Sequence, residues 1–131
     1  MALTVREIAI YDESFEANAD MTGDQYKIVK LHTVAGQVVL AGAGEGIGVL
    51  QNKPEAGQKA QVRIFGLTRI ILQGSTGGNL EPGNLVKSDA NGLGTRSSVA
   101  GDLPIGTATG LVTADGVIDT MLMTGPLRVH A

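Results

Sequence analysis

Short runs in which apolar and polar residues alternate make up much of this chain, and glycine-rich turns separate them. The clearest run covers residues 59–64, where Ala60, Val62 and Ile64 alternate with polar residues. This period of two is typical of a β-strand that buries one face. A second apolar run follows at residues 67–72. The same reasoning predicts further strands at residues 26–34, 37–40, 84–87, 105–112 and 117–123.

Turn signals recur between these runs. The Ala-Gly pair at 35–36 predicts a tight hairpin connection, and a glycine-rich loop covers residues 74–78. Asp-Ala-Asn-Gly at 89–92 and Asp-Gly at 115–116 predict two more turns. Only residues 12–21 offer a helical alternative, and that segment is short. Closely spaced strands and turns favour a single all-β domain, either a small β-barrel or a β-sandwich.

The best-marked segment, residues 48–62, predicts a strand–turn–strand corner. A short apolar run leads into Asn-x-Pro, a glycine closes the turn, and the alternating strand follows. Proline fixes φ and glycine permits positive φ, so both suit a tight turn. The segment holds no nucleophile or acid–base pair, which makes its role architectural. Its motif residues are Gly48, Val49, Leu50, Asn52, Pro54 and Gly57.

Residues 1–22 differ from the rest because an apolar set is followed by acidic residues, with no glycine before Gly23. One interpretation is a first strand packed on the common core. The other is an extended arm that leaves the β-rich domain at 23–131 and pairs with a neighbouring subunit by strand addition. Aromatic side chains are enriched at interfaces, and two of them lie here. The candidate contact residues are Leu3, Val5, Ile8, Ile10, Tyr11 and Phe15.

Composition narrows the class of protein. The 131 residues are 43% hydrophobic but include only two Tyr, two Phe and no Trp, so the core is aliphatic. A net charge of −3 argues against a nucleic-acid partner, for which a basic patch is expected. There is no cysteine, which excludes disulfides and thiolate metal sites. The uncharged stretches are too short to span a bilayer, and no export signal is evident, so we expect no membrane association.

No constellation in the sequence indicates catalysis. The glycine-rich loop at 42–48 resembles a phosphate-binding loop, but an apolar strand-like run follows it where a helix would be needed. His32 and His130 are too few for a zinc site. Asp115 and Asp119 are explained by turn chemistry and by a solvated strand face. We therefore expect no catalytic residues, no metal, no cofactor and no enzymatic activity.

The corner motif, Ala60-x-Val62 and the run Gly-Asn-Leu-Val-Lys-Ser-Asp-Ala-Asn-Gly at 83–92 resemble the capsid decoration (cement) proteins of tailed bacteriophages. The similarity covers residues 23–123, and segments 105–106 and 117–122 fit the closing strands of that family. The motifs are moderately specific, because they are strand and turn signatures.

The resemblance implies a structural virion protein, commonly a homotrimer, on the outer surface of the phage head. It implies the major capsid protein as partner, bridging of neighbouring capsid subunits, stabilisation of the head, and synthesis in the cytoplasm of the bacterial host. Two other classes stay open. A surface-binding β module, lectin- or adhesin-like, would bind a glycan or a host surface, although few aromatic residues are available to stack on sugars. An enzyme would need a pocket in which titratable groups converge.

Overall fold

The computed structural model describes residues 11–98 and 103–123, and every regular element in them is a β-strand. The prediction of an all-β domain is therefore confirmed. Nine strands follow one another along the chain: β1 Tyr11–Ala17, β2 Ile28–Leu31, β3 Gln37–Leu40, β4 Gly48–Leu50, β5 Lys59–Gln73, β6 Leu85–Ser88, β7 Gly94–Arg96, β8 Gly106–Ala108 and β9 Asp115–Met123.

The strands form two closed rings that share β5. In the first barrel the order is β1-β3-β2-β4-β5, and β5 pairs again with β1. In the second barrel the order is β5-β7-β6-β8-β9, and β9 returns to β5. The shared strand is long enough for both, at 15 residues, and Gly66 with a φ of 105° lies near its middle. Closure of both rings leaves few sheet edges unpaired.

The alternation read from the sequence of β5 serves both barrels. Ala60 and Val62 point into the first barrel, while Ile70 and Leu72 point into the second, and all four are buried. A strand with period two keeps every second side chain on one face, so one sequence pattern fills two cores. The first core includes Met21, Val38 and Leu50, and the larger second core includes Leu80, Ile105, Met121 and Met123.

Strands β2 and β4 lie between the two cores. Ile28 packs in the second core and its neighbour Val29 in the first. In β4, Val49 likewise packs in the second core and Leu50 in the first. Because successive side chains of a strand point to opposite faces, an unbroken apolar pair marks a strand that is buried on both sides.

Several boundaries differ from the sequence predictions. The Ala-Gly pair does join a hairpin, but β2 ends at Leu31, and Val34 is half exposed in the connection. The strand predicted at 105–112 contracts to β8, with Val112 in an isolated bridge to Leu80. The turn predicted at 115–116 is wrong, because these residues begin β9 beside a register shift. The helical alternative is also wrong, since β1 occupies that segment.

Candidate interaction surface

One edge of β5 is covered by β4 and by the residues that precede β2. Ile71 donates its backbone N–H to Tyr26 O at 3.0 Å, and Tyr26 donates its own N–H to Leu50 O in β4 at 2.7 Å. A strand has two edges, and its backbone groups point to them alternately. Since β4 and Tyr26 occupy one edge of β5, β1 and β9 lie along the other edge.

On that shared edge β1 and β9 lie end to end. Tyr11 pairs with Phe65, and Met123 pairs with Gly66, the next residue of β5. The outward-facing side chains of β1, β5 and β9 therefore form one continuous surface, which we call the outer wall. Tyr11 and Met123, the first and last residues that the structure describes, therefore lie at adjacent positions of this wall.

The half of the outer wall formed by β1 is polar and tightly bonded. Arg63 donates Nε to Asp12 Oδ1 at 2.8 Å and Nη2 to Asp12 Oδ2 at 3.1 Å. Gln61 donates to the same carboxylate at 3.0 Å, and Arg63 Nη1 donates to Leu67 O at 2.9 Å. The hydrogen bond from Arg63 is the main reason that the pKa of Asp12 lies below its ordinary value.

The half formed by β9 carries two apolar pairs, and the polar pair Arg69–Thr120 lies between them. Leu67 pairs with Leu122, and Ile71 pairs with Ile118. Of these, Ile118 is 55% exposed and Leu122 37%; beside the Leu67–Leu122 pair, Tyr11 is 51% and Phe65 43% exposed. We call these side chains the apolar patch; they are Tyr11, Phe65, Leu67, Leu122, Ile71 and Ile118. The first four of these are contiguous, and contiguous exposed apolar side chains on a folded domain indicate an interaction site, whereas isolated ones need no explanation.

A polar cavity of about 350 Å³ borders the patch near the junction of the two barrels. It is lined by Tyr26, Gln51, Arg63, Leu67, Thr68, Arg69 and Thr120. Gln51 fixes its floor by donating Nε2 to Thr68 Oγ1 at 2.8 Å and to Val49 O at 2.9 Å. Tyr26 holds a φ of 68°, which is uncommon for a residue other than glycine.

The corner motif lies away from the outer wall's apolar half and has a structural role. Asn52 donates Nδ2 to Lys59 O at 2.8 Å and accepts from Gln61 N at 3.0 Å, which ties the corner to β5. Pro54 O accepts from Met21 N, and Gly57 has a φ of 84°. The motif's other three residues, Gly48, Val49 and Leu50, constitute β4 and are buried.

Of the six contact residues predicted in the N-terminal region, the structure describes two. Tyr11 lies on the apolar patch, and its hydroxyl hydrogen-bonds to the Glu13 carboxylate. Phe15 is half buried and packs against the first core. The other four, Leu3, Val5, Ile8 and Ile10, lie outside the described residues, and so do His130 and the C-terminal residues from 124 onward.

The residues considered for chemistry have structural partners. In the loop at 42–48, Glu45 accepts from Lys30 Nζ at 2.9 Å and from Gly42 N at 3.0 Å, and the Lys30 contact chiefly lowers the pKa of Glu45. The loop then enters β4, as its sequence predicted. His32 Nδ1 accepts from Val34 N in the hairpin at 3.1 Å.

The two carboxylates near the start of β9 are also engaged locally. Asp115 accepts from Ser75 N and from both the N–H and the hydroxyl of Thr76, and the Thr76 hydroxyl contributes most to lowering the pKa of Asp115. Asp119 accepts from Thr120 N at 2.7 Å. Within 11–98 and 103–123, no three histidine or carboxylate side chains come together as metal ligands. No helix among those residues is long and apolar enough to cross a membrane.

The fold has a counterpart among solved structures. The structure described as the head fiber gp8.5 N base in bacteriophage phi29 superposes with a TM-score of 0.65 at 13% sequence identity. The match covers 92% of this chain and 99% of that one. At this identity the likeness establishes a shared fold. No protein-family model matches the chain, and no curated protein does. The similar protein is named as a head fiber base, which differs from the cement proteins that the sequence resembles.

The outer wall itself was not predicted from the sequence. In the sequence, nothing distinguishes Ile71 and Ile118 from other apolar strand residues. Only the pairing of β5 with β9 places them side by side. A signal was present: residues 117–118 and 121–123 are apolar at consecutive positions, which indicates a strand with apolar side chains on both faces. The sequence cannot show that one of those faces is left uncovered by the rest of the described chain.

Proposed function

We propose that this chain is a structural protein of a bacteriophage head, bound to the outer surface of the mature shell as a homotrimer that bridges neighbouring major capsid subunits. The observation that carries the proposal is the fold shared with a phage head fiber base over nearly the whole length of both chains. The corner motif and residues 83–92 resemble capsid decoration proteins, and this resemblance separately supports a location on the phage head. Protein of this kind is made in the host cytoplasm and joins the virion there.

The physical properties of the domain suit such a role. A decoration protein needs a rigid core, a surface that recognises the shell and a surface that holds its copies together. Two cores joined through β5, β2 and β4 give the rigidity, and the apolar patch gives one exposed recognition surface. A trimer that engages several capsid subunits at once gains avidity without requiring one very tight contact. None of these functions requires a catalytic residue.

Co-sedimentation with phage heads tests the proposal. Purified protein is mixed with expanded heads that lack decoration and, in parallel, with unexpanded procapsids. We expect saturable binding to expanded heads at a fixed ratio to capsomers, and a mass three times that of one chain in solution. Binding to neither particle would contradict the proposal. A glycan array and host-cell binding then decide the alternative, a lectin- or adhesin-like β module, for which the polar cavity would be the ligand site.

A further inference from the structure

The second barrel has a gap on the outer edge of β9. On the side away from β5, β9 is paired with β8, but only through Met121–Met123. Beyond that point Thr109 donates its hydroxyl to Thr120 O at 2.7 Å. Among the residues that the structure describes, no strand pairs with the outer edge of β9 between residues 116 and 119.

The backbone of Ile118 is directed into this gap. Its partner Ile71 donates its N–H to Tyr26 O, on the edge of β5 that faces away from β9. The two residues therefore form a non-hydrogen-bonded pair, in which the backbone groups of both point away from each other. It follows that the N–H and C=O of Ile118 point outward from β9, beside a side chain that is 55% exposed. The opening is narrow, because the N–H and C=O of Thr120 are bonded to Asp119 and Thr109 and the N–H of Gly116 to Gln73, so an added strand would bond to β9 here through Ile118.

The sequence before Tyr11 has the composition of a strand. The ten residues before Tyr11 contain Leu3, Val5, Ile8 and Ile10, and they include no proline or glycine. Branched aliphatic residues favour β-strands. The segment ends at Tyr11, the first residue of β1, and fully extended it spans at most about 33–36 Å.

We propose that residues 1–10 of a second copy of this chain add to the outer edge of β9 as a strand centred on Ile118. An apolar side chain of the added strand then extends the row formed by Ile71 and Ile118. This inference rests on the proposed homotrimer. A closed ring of three needs a heterologous contact, in which one element is donated and a different element accepts it. Residues 1–10 and the β9 edge provide such a donor and acceptor.

Cysteine cross-linking tests which copy donates the strand. The natural chain has no cysteine, so introduced thiols report only on their own positions. One tagged copy carries Leu3→Cys, Val5→Cys or Ile8→Cys in turn, and a second copy with a different tag carries Ile118→Cys. After the two are refolded together and oxidised, we expect a disulfide between the two tags for at least one of the three positions. Each copy alone is the control.

Substitutions at the acceptor edge give a second, independent readout. Ile118→Pro removes the outward N–H without removing a bond to β5, and Ile118→Lys keeps the backbone but places a charge on the edge. We expect both variants, and a chain lacking residues 1–10, to lose the trimer mass in light scattering. Leu31→Lys is the matched control, because Leu31 is equally exposed at 55% but lies in β2, and this variant should keep the trimer.

The outcomes separate this inference from the proposed function. If heads are bound and the chain is trimeric, but deletion of residues 1–10 and Ile118→Lys leave the trimer intact, strand addition is wrong and the head protein proposal stands. A double variant such as Val5→Cys with Ile118→Cys carries both thiols in one chain. If its disulfide forms only within a single copy, strand addition between copies is also wrong. A monomeric natural chain that still binds heads overturns the trimer and the strand addition together.

Discussion

Arg63 contacts both carboxylate oxygens of Asp12, through Nε at 2.8 Å and Nη2 at 3.1 Å, and thereby fixes β1 to β5 beside Tyr11, the first residue that the structure describes. Replacing Asp12 with Asn should lower the free energy of unfolding by about 1 kcal/mol, the upper range for a partly exposed pair with two-point geometry. Urea unfolding followed by circular dichroism measures this. Glu81→Gln, at an exposed carboxylate, is the control and should leave the midpoint unchanged.

The same ion pair predicts a dependence of stability on pH. The hydrogen bond from Arg63 lowers the pKa of Asp12 in the folded chain, so the unfolded chain binds the additional proton first as the pH falls. The contribution is therefore complete above about pH 5, since the unfolded pKa is about 3.9, and it is lost as the pH falls through the folded pKa. The difference between the natural chain and Asp12→Asn should be largest at pH 7 and should shrink steadily as the pH falls below about 5. A difference that grew on acidification would contradict this.

Gly48 is required because β4 packs closely on β5. A Cβ at this position would lie 2.4 Å from Arg63 O and 2.6 Å from Val62 Cγ1. Since a backbone carbonyl cannot move aside without disturbing the ladder, Gly48→Ala should cost about 2–3 kcal/mol. Gly23→Ala is the matched control, because no atom lies within 4 Å of its Cβ and its φ is not positive, and its effect should stay within about 0.5 kcal/mol. Equal denaturation midpoints for the two variants would contradict the close packing.

The sequence predicted the class of fold because the signals for it are local. Alternation in β5 and the Ala-Gly hairpin depend on neighbouring residues alone, and both are confirmed. The turn expected at 115–116 was wrong because a contact 40 residues away decides it. Asp115 binds Ser75 and Thr76, and this holds the Asp-Gly pair in line with β9. A turn preference of a dipeptide is weaker than several hydrogen bonds made by the fold around it.

The surface could not be predicted for a related reason. Whether a side chain lies on the outer wall depends on which strands share an edge of β5, and this is set by ring closure over long sequence separations. The sequence predicts Tyr11 as a contact residue because aromatic side chains are enriched at interfaces, and the structure places it half exposed on the apolar patch, while the contact itself stays a prediction. Nothing in the sequence indicates that Phe65, Leu67 and Leu122 lie close to Tyr11 in the fold.

The two barrels should unfold as one unit, because they have strands in common. Ile28 and Val29 are adjacent in β2 yet contribute to different cores, and β5 closes both rings. Ile28→Ala should therefore lower the stability of the whole domain by about 2–5 kcal/mol, and Val29→Ala by a somewhat smaller amount. Leu31→Ala, at the exposed end of the same strand, should change it by less than about 0.5 kcal/mol.

For every variant we expect a single unfolding transition, with the same midpoint by circular dichroism and by tyrosine fluorescence. Two separate transitions in Ile28→Ala would mean that the cores are independent, and β2 and β4 would then be only a boundary between them.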